Sequence, residues 1–159
     1  MVRNALIAGA TGLVGKELLL QLIRSDYYNS VHTISRRPLD IEHPKHKSHI
    51  INFDNLPEFD PEGIIHDVYI CLGTTRKKAG SKPNFRKVDY TYVVDIGRWA
   101  NQNRVKKLAV ISSLGTGAGS GNFYLKTKSE MEAALVSLNL PALIILRPSL
   151  LVGKRDEFR

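Results

Sequence analysis

Apolar residues in this chain fall into two alternating patterns. Short continuous runs at 5–8, 31–35, 49–53, 67–72, 107–113 and 142–146 read as buried strands. Between them the apolar positions recur every three or four residues, as on one face of a helix. Leu13, Val14, Leu18, Leu19, Leu22 and Ile23 form the first such stripe. Val88, Tyr92, Ile96 and Trp99 form another within a long helix over 85–100, an aromatic stripe suited to a core or a subunit interface. A last helix opens at Asn122, runs through Met131, Ala134, Leu135 and Leu138, and is stopped by Asn139-Leu140-Pro141. Six apolar strands alternating with helices predict an α/β, Rossmann-type doubly wound parallel sheet with helices on both faces. Right-handed crossovers give the strand order 3-2-1-4-5-6.

The first strand runs into Gly9, Gly12 and Gly15, and the first helix follows at once. Strand, glycine turn and helix is the setting in which a glycine pattern predicts a phosphate site. Gly9 permits the tight turn, Gly12 lets backbone approach a pyrophosphate, and Gly15 lets the helix sit against the sheet. The N–H groups of the loop and first turn, from Thr11 through Leu13 and Val14, then face the anion. A nucleoside triphosphate P-loop is excluded. Ala10 stands where its first glycine belongs, and Glu17 replaces the hydroxyl that holds magnesium.

The ends of the later strands extend the picture. The second strand ends in Arg36 and Arg37, where an NAD site usually places an acid on the ribose 2′-hydroxyl. A guanidinium fork there pairs with a 2′-phosphate, so NADP(H) is the preferred cofactor and NAD(H) the other candidate. Asp54, past the third strand, either accepts from an adenine amino group or caps a turn. The loop after the fourth strand, with Cys71, Leu72, Gly73 and Thr74, faces the cofactor across the switch point of strand order. The basic run from Arg76 to Lys87 reads as a solvated loop or a guide for an anionic substrate. Three histidines, His43, His46 and His49, lie close together, but matching cysteines and acids are absent, so no metal site is expected. The glycines over 115–121 alternate at every second position, which suits a substrate loop better than a second phosphate site.

Composition narrows the setting. The chain has 159 residues, the length of one domain, and a formal net charge of +8 that favours anionic ligands. No apolar run approaches a membrane span. The single cysteine and a start that leads directly into the first strand give a cytoplasmic expectation. The basic surface carries no recognisable nucleic-acid module, so nucleic acid is not an expected partner.

Tyr124 and Lys128 lie four apart on one helical face, and Ser113 precedes the tyrosine by eleven residues. This set suits carbonyl reduction. Tyr124 exchanges a proton with the substrate oxygen, the Lys128 ammonium lowers the pKa of the phenol, and Ser113 polarises the carbonyl. Ser112 points to the opposite face if the strand persists, so Ser113 is preferred while Ser112 stays open.

The glycine loop, the serine end of the fifth strand, the Tyr124/Lys128 pair and Arg147-Pro148-Ser149 together resemble the short-chain dehydrogenase/reductase superfamily. Cys71-Leu72-Gly73-Thr74-Thr75, the helix carrying Asp89-Tyr90 and the ending Leu146 to Gly153 resemble its atypical NAD(P)-binding subgroup, which contains the Tat-interacting, tumour-suppressor-type proteins and their bacterial relatives. The resemblance implies a dinucleotide in the glycine loop and cofactor contacts at Arg36, Arg37, Asp54, Leu56, Leu72 and Gly73. It also implies that Pro148 and Leu150 lie near the nicotinamide. Asp89 stands where many relatives carry an asparagine of the proton relay. Relatives also continue past the sixth strand, so residues 1–159 are expected to form a single NAD(P)-binding domain lacking the carboxy-terminal substrate-binding segments. The expected partner is a small carbonyl substrate, with room for a homo-oligomer. The alternative is a non-catalytic NADP(H)-sensing module that binds a protein.

Overall fold

A computed structural model describes residues 2–117, 119 and 121–153. Six strands form one parallel sheet: β1 Asn4–Ala8, β2 Ser30–Ser35, β3 His46–Ile50, β4 Asp67–Ile70, β5 Lys107–Ile111 and β6 Leu143–Leu146. Their order is 3-2-1-4-5-6, the doubly wound arrangement expected from alternating strands and crossover helices. β1, β2 and β4 are the most deeply covered strands, which is why they read as nearly continuous apolar runs.

Helix α1, Leu13–Arg24, covers one face of the sheet by burying Gly15, Leu19 and Ile23 at four-residue intervals. They pack with Ala5, Ile7, Ala10, Tyr28 and Val31. The other face lies beneath α4, Tyr92–Gln102, and α5, Phe123–Val136. Leu6, Ala8, Ile34, Val68, Ile70, Leu108 and Val110 meet Ile96, Trp99, Met131 and Leu135 there. Gly97 lets the two helices approach, because a Cβ at that position would lie 2.5 Å from Leu135 Cδ2. Met131 and Leu135 are fully buried, and truncating either to alanine costs about 2–5 kcal/mol.

Four elements differ from their sequence patterns. β3 begins at His46 and ends at Ile50, three residues earlier than the apolar run suggests. It is an edge strand paired only with β2, so it has little to bury, and the apolar Phe53 instead enters the core from a 3-10 turn, Phe53–Glu58. The long helix over 85–100 is a succession: α3 at Lys82–Arg86, a π turn at Lys87–Thr91, then α4. A short helix α2, Arg76–Ala79, precedes them. β4 and β5 stop at Ile70 and Ile111, so the residues after them are free to turn over the carboxyl end of the sheet.

Candidate functional site

The glycine turn is shaped by contacts that exclude side chains. Gly9 has φ +90°, a left-handed conformation that favours glycine. A Cβ there would also lie 2.5 Å from the Cys71 carbonyl carbon and 2.8 Å from the Leu72 nitrogen. A Cβ on Gly15 would overlap the Gly9 carbonyl oxygen. Gly12 is different. It caps α1 with no side-chain hydrogen bond, and a Cβ on it would meet only Gly9 O, at 3.5 Å. The first-turn N–H groups therefore have no side-chain cap, and Thr11 and Gly12 are exposed. This is the donor set a pyrophosphate requires. Past β6 the chain returns over the same turn, where a Cβ on Gly153 would touch the Leu13 side chain.

The loop after β4 links this turn to α5. Cys71 and Leu72 abut Gly9, and the Thr74 N–H donates to Asp89 Oδ2 at 2.9 Å. Asp89 Oδ1 pairs with Lys128 Nζ at 2.8 Å. Both side chains are nearly sealed from solvent, at 1% and 3% exposure. Asp89 reaches Lys128 from the π turn, a one-residue widening that often marks functional positions in helices. Removing one partner of such a buried pair strands the other charge and typically costs about 3–5 kcal/mol. The Lys128 ammonium stands 6.0 Å from the centre of the Tyr124 ring, and Phe85 supports that ring at 5.7 Å.

Ser112 and Ser113 have different surroundings. Ser112 is buried, and its hydroxyl donates to Glu132 at 2.5 Å. Ser113 is half-buried and donates only to its neighbour's carbonyl, Leu114 O, at 3.3 Å. Glu132 also binds Thr116 and Arg147. Burial pushes the Glu132 carboxyl up, but bonds from Arg147, Ser112 and Thr116 outweigh it and hold the carboxyl below the usual carboxylate range. Nothing in the sequence pattern singled out Glu132. The available signal was its place one turn beyond Lys128 on the stripe begun by Tyr124.

Other expected contacts are more scattered. Arg36 and Arg37 are exposed past the end of β2. Asp54 is engaged by Lys87 at 2.9 Å and by the Tyr92 hydroxyl at 3.2 Å. The Lys87 hydrogen bond holds the Asp54 carboxyl below its ordinary range. The Leu56 side chain lies in the core at 1% exposure. Burial pushes the Cys71 thiol up to about 11, which suits a packing residue. Pro148 is half-buried and Leu150 is exposed. The side chains of the three histidines, two of them in β3, have separate partners. His46 bonds Thr33 and the Ile41 carbonyl, His49 bonds His32, and His43 accepts from the Lys45 N–H.

The sheet order is that of a Rossmann-type fold, and the relatives that follow support an atypical relative of the NAD(P)-binding short-chain dehydrogenase/reductase type. The HIM1 family model matches residues 35–158, and the chain belongs to the HIM1 family. FMP52 of Debaryomyces hansenii is 35% identical over 156 residues, covering 97% of this chain and 69% of that protein. HTATIP2 of Rattus norvegicus is 34% identical over 161 residues, covering 99% of this chain and 66% of the rat protein. The chain therefore spans about two thirds of the length of these relatives. The Bordetella bronchiseptica enzyme WbmH, solved in complex with NAD+, has the same fold, with a TM-score of 0.76 at 14% identity over 96% of this chain and 60% of that one.

The cytoplasmic expectation is corrected. FMP52 proteins of Debaryomyces hansenii, Candida albicans and Meyerozyma guilliermondii are named mitochondrial, so these relatives do not support a cytoplasmic location. A single cysteine fits any reducing compartment and does not distinguish one from another.

Proposed function

We propose that this chain binds NADP(H) on its glycine turn and supports hydride transfer between the nicotinamide and a small carbonyl or alcohol. One observation carries the reading. The loop that abuts Gly9 is tied through Asp89 to Lys128, so the anion-binding turn and the Tyr124/Lys128 stripe share one rigid connection. The uncapped first turn of α1 would hold the pyrophosphate, and Arg36 and Arg37 would meet the 2′-phosphate. The bound cofactor supplies or accepts hydride. Tyr124 delivers the matching proton to the substrate oxygen or takes it back. The Lys128 ammonium stabilises the phenolate and has donors left for ribose hydroxyls. Ser113, whose hydroxyl is only weakly engaged, donates to the carbonyl oxygen where negative charge develops.

Calorimetric titration with NADPH and NADH tests the cofactor assignment. NADPH binding is expected to weaken about tenfold in Arg36→Ala or Arg37→Ala, while NADH binding stays unchanged, as the loss of one charge-assisted contact requires. Equal affinity for both nucleotides, insensitive to either change, contradicts the NADP preference.

A second reading has one observation in its favour. Lys128 already carries a counter-ion 2.8 Å away, which reduces the field it exerts on the Tyr124 phenol. A module that senses NADP(H) and signals to a protein partner without turnover would tolerate this better than a reductase. Turnover of a carbonyl substrate by the parent chain at rates typical of reductases would count against this second reading.

A further inference from the structure

Tyr124, Lys128 and Glu132 occupy one stripe of α5 at four-residue steps, and the last of them faces three segments at once. Glu132 is 6% exposed. Its Oε1 accepts from Ser112 Oγ at 2.5 Å, from Thr116 Oγ1 at 3.0 Å and from Arg147 Nε at 3.1 Å. Its Oε2 accepts from Arg147 Nη2 at 2.5 Å. Ser112 follows β5, Thr116 is the second residue of the glycine-rich segment, and Arg147 follows β6. Backbone bonds join two of these segments again: the Ser112 N–H donates to Leu146 O at 2.7 Å, and the Leu114 N–H donates to Pro148 O at 3.0 Å. One buried carboxylate thus gathers the exits of two strands, and Ser113 lies between its anchors.

We propose that Glu132 is a positioning residue. It holds the end of β5, the start of the glycine-rich segment and the Arg147-Pro148 exit of β6 in one register. By engaging Ser112, it leaves Ser113 as the hydroxyl offered to substrate. The inference rests on the reading above for what Ser113 does, but not for how Glu132 holds it. The two anchors differ chemically. Ser112 and Thr116 need only an acceptor at Oε1, whereas Arg147 needs the carboxylate as a fork. Glu132→Gln keeps the first and loses the second, and Glu132→Ala loses both.

Amide hydrogen exchange on the intact chain tests this without cofactor or substrate. Glu132→Ala is expected to speed exchange at the Ser112 and Leu114 amides at least tenfold, while the amides of β1, β2 and β4 keep their rates. Glu132→Gln should keep Ser112 within threefold of the parent. Arg147→Met is a second variant, should Glu132→Ala fail to fold, and should release Leu114 while sparing Ser112. Unchanged rates at Ser112 and Leu114 in Glu132→Ala, or a uniform rise across the whole sheet, overturns the proposal. If Glu132→Ala does not fold, unchanged Leu114 exchange in Arg147→Met does so. Loss of NADPH binding in the parent would count against the functional reading and leave this result standing.

Discussion

The two ends of the sheet bury polar groups in opposite ways. At the amino ends of the strands most of the groups bond to one another, although Asp67 Oδ1 and Arg3 Nε are buried without a hydrogen-bond partner among the described residues. The Tyr28 hydroxyl donates to Asp67 Oδ2 at 2.6 Å and lies 2.7 Å from the Tyr69 hydroxyl. Arg3 and Lys107 flank the same carboxylate at 4.0 and 3.8 Å. Asn4, Ser30, His32 and His49 form a continuous hydrogen-bonded chain. His32 stacks on His49, whose ring meets Phe59, and Phe59 meets Trp99. At the carboxyl ends the polar groups join separate segments and, among the described residues, leave donors over at the uncapped first turn of α1 and the lightly engaged Ser113. The first arrangement holds the sheet together. The second leaves donors at the carboxyl edge, where open α/β sheets bind their ligands.

Substitutions should separate the two ends. The largest effect belongs to Gly15→Ala, because the new methyl overlaps the Gly9 carbonyl, which is backbone and cannot rotate away. A loss of more than about 3 kcal/mol of stability, together with loss of nucleotide binding, is expected by chemical denaturation and calorimetry. Tyr124→Phe comes next. It should lower turnover by about 10²- to 10⁴-fold with NADPH affinity unchanged, as removal of a general acid does. Unchanged turnover on a true substrate would remove Tyr124 as the acid.

The amino end should respond to pH. Burial, reinforced by His49, lowers the His32 pKa to about 4, and burial lowers that of His49 as well. Below pH 6.5 the unfolded chain takes up protons that the folded chain refuses. Stability present above pH 6.5 is therefore lost as pH falls towards 4. For His32 the loss is about 3 kcal/mol. Denaturation curves across that window should show a steep slope that flattens in His32→Asn. The nucleotide site should keep its affinity per folded molecule through the upper part of the window.

Much of the fold was legible because its signals are local. The period of α1 and the three glycines state a strand-turn-helix unit without help from distant residues. The edge strand β3 was misplaced because its residues, His46 to Ile50, pair on one side only and carry no apolar run. The proposed site is suggested by the sequence where residue type and spacing fit a known chemistry, as at Tyr124 and Lys128. It was not legible at Glu132, and Asp89 stood out only through the family resemblance, not through its buried pairing with Lys128. Acidic residues within helices normally read as a solvated face, and only their partners on other elements explain their burial. Asp54 shows the converse, since its side chain binds Lys87 and Tyr92 on the neighbouring helical segment, an arrangement that no strand-end rule anticipates.

The account depends on the first turn of α1 receiving a dinucleotide's phosphates. Backbone amide chemical shifts recorded while NADPH is titrated test this most directly. The predicted result is saturable shifts at Thr11, Gly12, Leu13 and Val14, with the amides of Asn4, Ser30 and Asp67 at the other end of the sheet unmoved. An absence of change at the glycine turn with saturating NADPH and NADH would contradict it.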